Sequence, residues 1–376
     1  MNTTFVLVFL LALVGCAATP GAGRHARADE ELAPTIERLM QRERVQGMAV
    51  AVIDDGKVAQ VAAFGRRSAK PDQPLTTNTV MYGASLTKAA FSYMVLQLVD
   101  EGKLTLDATL PELLPRPLPD YEAYADLKDD PRWRLLTPRM LMNHTSGFAN
   151  FRWLEADKRL QFHFTPGQRY AYSGEGFYLL QFVLEQGLGL DVGKEMQARV
   201  FDRFGLARTS MRWRPDFASD LADGFDVNGA VTPHDERSNV RAAGSMDTTI
   251  SDQAKLWAAI MRGDGLSAAA RAEFIRPQFA IASRYQFPTF GTETAAPNAD
   301  IGLAAATGVI AFRDASGAAW YKGGHNDTTG NIVVCLENGK RCVVLLANDV
   351  RAELIYPDVV ALILGETTMP WRWEYH

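Results

Sequence analysis

The stretch from Ser85 to Glu101 constrains the fold of this chain more than any other. Ala89, Ala90, Phe91, Tyr93, Met94, Val95 and Leu96 leave the helix almost no polar side, and Gly102 supplies a stop signal. A helix that is apolar nearly all round has to be buried. Other layers of structure must therefore cover it, and 376 residues suffice for one large unit or two intimately packed subdomains. Leu32 to Val45 has helical periodicity, while Met48–Asp54 and Lys57–Phe64 read as strands around an Asp55-Gly56 turn. Phe177–Gln186 and Ile250–Arg262 read as helices. Strands then dominate, over Val309–Arg313, Ala318–Lys322, Ile332–Leu336 and Cys342–Leu346, before a closing helix from Ala352 to Leu364. Strands near both ends with helices between predict an α+β fold, in which an antiparallel sheet built from both termini is flanked by helices and joined to a helical middle. Pro115–Arg134 and Ile281–Asp300 lack periodicity and read as loops that set the shape of a pocket.

The chain carries 44 acidic and 39 basic residues, interspersed, which gives no electrostatic footprint for nucleic acid. The histidines are scattered, with neither an H-E-x-x-H pair nor a Cys-x-x-Cys, so no metal or other cofactor is expected. No serine lies in a Gly-x-Ser-x-Gly elbow. At the N-terminus, Phe5 to Val14 is an apolar run too short to span a bilayer, and residues 1–16 read as a secretory signal. Leu13-Val14-Gly15-Cys16 resembles the lipobox of bacterial lipoproteins, which would make Cys16 the lipidated first residue of the mature protein, although Met1-Asn2-Thr3-Thr4 has no Lys or Arg. Residues 17–30 then form a flexible tether. The expectation is an exported, periplasmic protein that meets the membrane only through an anchor at Cys16.

Asn338-Gly339 is a two-residue hairpin signal that sets Cys335 opposite Cys342. Cross-strand neighbours are about 5 Å apart at Cα, within disulfide reach. Two unbridged buried thiols are the equal alternative.

Ser85-Leu86-Thr87-Lys88 is the segment with chemistry. Residues three apart on a helix share a face, so the Ser85 hydroxyl and the Lys88 amine converge. Burial lowers the pKa of an amine and lets it accept the serine proton. At the helix start, the backbone N–H of Ser85 can face a developing oxyanion. Tyr172 is delivered by a loop just ahead of a helix, where neighbouring amines would favour its phenolate. Lys322-Gly323-Gly324-His325 ends a strand; its glycines allow close backbone approach to a ligand, and the following N–H can serve as a second oxyanion donor. On its own each of these segments has a plain structural reading: a solvated first turn, a packing tyrosine, a strand-ending turn.

In order and approximate spacing, Ser85-x-x-Lys88, Tyr172-Ser173-Gly174 and Lys322-Gly323-Gly324 resemble the serine β-lactamase and penicillin-binding-protein superfamily, closest to its class C β-lactamase-like branch with DD-peptidases and family VIII carboxylesterases. Asn143-His144-Thr145-Ser146-Gly147 and Ala243-Gly244-Ser245-Met246 look like further stretches of that branch. The likeness covers roughly residues 31 to 365 and implies one β-lactamase/transpeptidase-like domain over residues 31–376. It implies that Ser85 is acylated, Lys88 and Tyr172 share general-base duty, Lys322 supplies positive potential, and the amides of Ser85 and His325 form the oxyanion hole. Gly174 stands where the family usually has Asn, and Gly323 where it usually has Thr. Both changes remove polar groups that recognise an acylamide bearing a carboxylate. Glu175 could substitute for the missing amide, but meeting the helix dipole is its simpler role. The resulting expectation is a serine hydrolase for small esters, amides or peptides. A β-lactamase or D-Ala-D-Ala carboxypeptidase is the enzyme alternative, and a non-turnover penicillin-binding or sensing lipoprotein is the alternative of another class.

Overall fold

A computed structural model describes residues 22–290 and 296–375 of the chain. Its two terminal regions meet in one nine-stranded antiparallel sheet. The N-terminal part contributes β1 (Gly47–Asp54), β2 (Lys57–Ala69) and β3 (Asp72–Pro74). The C-terminal part contributes β4 (Phe279–Ala280), β5 (Ala304–Ala305), β6 (Ile310–Asp314), β7 (Gly317–Asn326), β8 (Thr329–Leu336) and β9 (Arg341–Ala347). The order is β3-β2-β1-β9-β8-β7-β6-β5-β4, so the two ends of the chain pair directly, from Met48 opposite Ala347 to Ile53 opposite Cys342.

Alternation along these strands supplies two cores. Ala49, Ala51, Val344 and Leu346 enter the one shared with the helical middle, and Met48, Val50, Val343 and Leu345 enter the other. Burial on both faces explains why β8 and β9 read as unbroken apolar runs. The main helices are α1 (Ala22–Glu43), α2 (Leu86–Asp100), α3 (Gly174–Gly187), which packs within the helical middle, α4 (Ile250–Arg262), α5 (Tyr356–Leu364) and the short α6 (Trp371–Glu374). Ile36 and Met40 of α1 pack with Val359 and Val360 of α5 on one face, while Trp257 of α4 and the whole apolar body of α2 lie on the other. Every residue of α2 from Leu86 to Leu98 is buried.

Turn chemistry sets the register. Asp55 (φ 48°) and Gly56 (φ 67°) close β1 onto β2 with the positive φ values a tight hairpin needs. The β8–β9 turn places Cys335 opposite Cys342, and the two are joined as a disulfide with Cα atoms 4.1 Å apart.

Four expectations are corrected. Helix α1 begins at Ala22, inside the stretch read as a tether; residues 1–21, including Cys16, lie outside the described residues. The Pro115–Arg134 segment folds into short 3-10 turns pinned by the buried side chains of Leu118, Leu127 and Trp133. The Ile281–Asp300 stretch is not all surface: Ile281, Gln286 and Asn298 are buried, and Asn298 Nδ2 donates to Ser283 O at 2.6 Å. Strand β7 does not end at Lys322 but continues through Gly323 and Gly324, paired with Ile332 and Asn331, to Asn326.

Candidate active site

Ser85 sits at the N-cap of α2. Ala84 just before it has φ 45°, a left-handed backbone that a residue with a Cβ rarely adopts, and Thr87 holds that turn by donating to Ala84 O from its hydroxyl at 2.6 Å. One helical turn on, Lys88 is 1% exposed, and its Nζ lies 2.9 Å from Ser85 Oγ. The same Nζ donates to Ala243 O at 2.6 Å and stands 5.0 Å from the centre of the Tyr172 ring. Burial, and next the charge of Lys322, hold the Lys88 amine well below its usual range. A lowered pKa favours the neutral amine, the form that can take a proton from serine.

Tyr172 arrives on a loop clasped by the Asn143–Gly147 stretch: Ala171 N donates to His144 O at 2.8 Å, and Ser173 N donates to His144 Nδ1 at 3.1 Å. His144 is buried and stacks on the Tyr172 ring at 4.4 Å; burial, with Lys88 and Lys322, keeps it neutral. Ser173 caps α3 by accepting from Gly176 N at 3.0 Å. The phenolate expected for Tyr172 does not follow from its surroundings. Burial pushes the phenol well above its ordinary value, and contact with Ser85 only partly offsets this. Tyr172 is a neutral donor and acceptor here, and the amine nearest Ser85 Oγ is that of Lys88.

Lys322 reaches the same centre from β7, 3.4 Å from the Tyr172 hydroxyl. Burial lowers its pKa to about 8 against an opposing pull from Glu374. Gly324 faces Ser85 so closely that a Cβ there would lie 3.0 Å from Ser85 N and 2.9 Å from Leu86 N. Only glycine lets β7 bring the adjacent His325 backbone to the mouth of the site. The His325 ring lines that mouth, its Nδ1 3.0 Å from Glu353 Oε1. Burial alone would lower its pKa, but the hydrogen bond and charge of Glu353, with Glu374, raise it overall.

These groups open onto a cavity of about 670 Å³. Ser85, Tyr172, Gly323, Gly324 and His325 line it, together with Gln286 and Phe287 of the second predicted loop; no residue of 115–134 does. Phe151 and Glu374 also line it and had no signal in the sequence. They explain the two glycines. A Cβ on Gly174 would overlap the Phe151 ring, and one on Gly323 would overlap Glu374 Oε1. Glu175 neither faces the cavity nor merely meets a dipole: it is buried and pairs with Arg152, 2.9 Å from Nη2.

The sequence model of the Beta-lactamase family matches residues 32–360, nearly the whole described chain. The chain belongs to the Beta-lactamase family. Among curated proteins it is similar to a beta-lactamase of Pseudomonas fluorescens, 27% identical over 205 residues, 52% of this chain and 54% of that relative. It is also similar to lovastatin esterase of Penicillium rubens, 26% identical over 62% of this chain and 68% of that protein. The chain thus spans about half the length of the first curated relatives it matches, including 50% of a putative fimbrial assembly protein of Dichelobacter nodosus. Among solved structures, a class C beta-lactamase superimposes with a TM-score of 0.72 at 18% identity, over 92% of this chain and 98% of that one. A D-alanine carboxypeptidase of Burkholderia cenocepacia gives 0.71 at 17% identity, over 91% and 99%. The fold is β-lactamase/transpeptidase-like, and the Beta-lactamase family is one of serine hydrolases whose relatives here include an esterase and a carboxypeptidase.

Proposed function

We propose that the protein hydrolyses a small ester or amide through an acyl-enzyme on Ser85. The observation that carries this reading is the buried Lys88 amine 2.9 Å from Ser85 Oγ at the base of an open cavity. Lys88 accepts the hydroxyl proton as Oγ attacks the substrate carbonyl. The backbone N–H groups of Ser85 and His325 receive the negative charge of the tetrahedral intermediate, and the helix start favours it. Its collapse breaks the bond to the leaving group, which takes its proton from Lys88 through the Tyr172 hydroxyl. Lys322 keeps the local potential positive. Water then attacks the acyl-Ser85 ester, and Ser85 regains its proton from the same groups.

Ester turnover is favoured over β-lactam turnover by the fate of the two family positions. The Phe151 ring takes the space of a side chain at Gly174, and Glu374 that of one at Gly323, so neither offers an amide or hydroxyl to an acylamido carboxylate. The test is a panel of p-nitrophenyl esters, nitrocefin and D-Ala-D-Ala peptides, with Ser85→Ala as control. Ester hydrolysis lost in the variant is the expected result. Equal inertness of both proteins across the panel would refute the reading, and a Ser85 adduct that forms and never clears would mark a sensor.

A further inference from the structure

We propose that the substrate carries a protonated amine close to the scissile bond, bound by Glu374 within the cavity. This deepens the hydrolase reading and rests on it. Alternation along β7 puts Gly323 on the face of Tyr321, where Glu374 arrives from α6. A carboxylate therefore fills the space a side chain at 323 would occupy. Glu374 is 6% exposed yet lines the cavity. Its Oε2 accepts from Gln286 Nε2 at 2.7 Å and from the Tyr321 hydroxyl at 3.1 Å, while Oε1 accepts no hydrogen bond among the described residues. A carboxylate at the cavity wall with one oxygen free of protein donors can accept a hydrogen bond from a ligand there.

The remaining charge on the wall points the same way. Asp226, Asp327 and Glu353 line the cavity with Glu374, and the one group there able to become a cation among the described residues, His325, is already paired with Glu353. Lys322 is buried beside Tyr172, with its Nζ donating to Gly323 O, and is not part of the lining. Arg351 and Arg372 line only an adjoining cavity beyond Glu374, and Arg351 is paired with Asp349. A ligand carboxylate would meet four carboxylates here, whereas an ammonium group is drawn in and hydrogen-bonded.

The experiment compares matched substrates on the full chain. One series carries the charge on the acyl side: β-alanyl, butyryl and succinyl p-nitrophenyl esters, equal in length and ending in ammonium, methyl and carboxylate. The other carries it on the leaving side: 2-(dimethylamino)ethyl thioacetate, protonated on nitrogen at neutral pH, its carbon analogue 3-methylbutyl thioacetate, and 3-(acetylthio)propionate. In at least one series the cation should exceed the neutral member in kcat/KM by about tenfold or more. Glu374→Gln, which keeps shape and removes charge, should collapse that ratio, and the series that responds shows on which side the amine sits. Neutral or anionic members hydrolysed as well as the cationic ones in both series would overturn the proposal. So would a folded Glu374→Gln protein that retains the full cation preference. Fluorophosphonate labelling of Ser85 separates this from failure of the parent reading: a labelled enzyme without cation preference loses only the amine claim, whereas an unlabelled one loses both. The wild-type ranking decides even if the variant does not fold.

Discussion

A lysine 1% exposed beside a serine has measurable consequences at the level of single groups. Lys88 lies well below its ordinary pKa in the folded chain, so at any pH between the folded and unfolded values unfolding lets the amine take up a proton. Below the unfolded value the amine therefore costs stability, and the cost disappears only as pH rises to that value. Lys88→Met should reduce acylation by about a thousandfold or more while leaving Tm equal or higher. Burst kinetics and a thermal melt check the two halves. The two lysines also fix the pH profile. Activity should rise as pH rises through the Lys88 pKa and decline above about 8 as Lys322 loses its charge. Lys322→Met removes a cation that lowers the Lys88 pKa, so the acid limb should move to higher pH and the alkaline limb should vanish in kcat/KM profiles.

At the scale of elements, the site is a junction of three: the start of α2, the loop before α3, and β7. Glycine decides how close they come. Gly324 admits β7 to the backbone of Ser85, and Gly323 admits α6 to β7. Gly323→Thr should therefore destabilise the fold by about 1–3 kcal/mol through overpacking against Glu374. Glu374→Ala in the same chain should recover part of that loss, a coupling visible in a denaturant double-mutant cycle. A double variant whose loss equals the sum of the losses of the two single variants would mean that the two side chains do not compete for one space. The S-x-x-K turn, the tyrosine loop and the glycine pair were legible because each is a local arrangement of residue types with local geometry. Phe151 and Glu374 were not, since nothing near them in sequence announces which distant glycine they will face. The Tyr172 phenolate was misread for a related reason: its nearby amines are visible in sequence, but the burial that outweighs them is not.

For the whole molecule, the sheet closes by pairing β1 with β9, and no helix among the described residues is long and apolar enough to cross a membrane. We propose that the protein is exported and anchored through Cys16. Labelled palmitate should enter the wild-type chain in a bacterial host and fail to enter Cys16→Ser, with mass spectrometry of the mature N-terminus as the check. A wild-type chain that ends its processing elsewhere would remove the anchor. The sequence by itself determined most of the elements, the α+β class, the register that sets Cys335 opposite Cys342 and the convergence of Ser85 and Lys88, because hydrophobic period, turn residues and helical spacing act over a few residues. It leaves the bridge itself open, and Tyr172 joins the pair only through the family resemblance. Tertiary structure alone decided the charge and shape of the cavity. Phe151 comes from the helical middle and Glu374 from the C-terminal helix, and only packing, which depends on distance in space, sets them against Gly174 and Gly323.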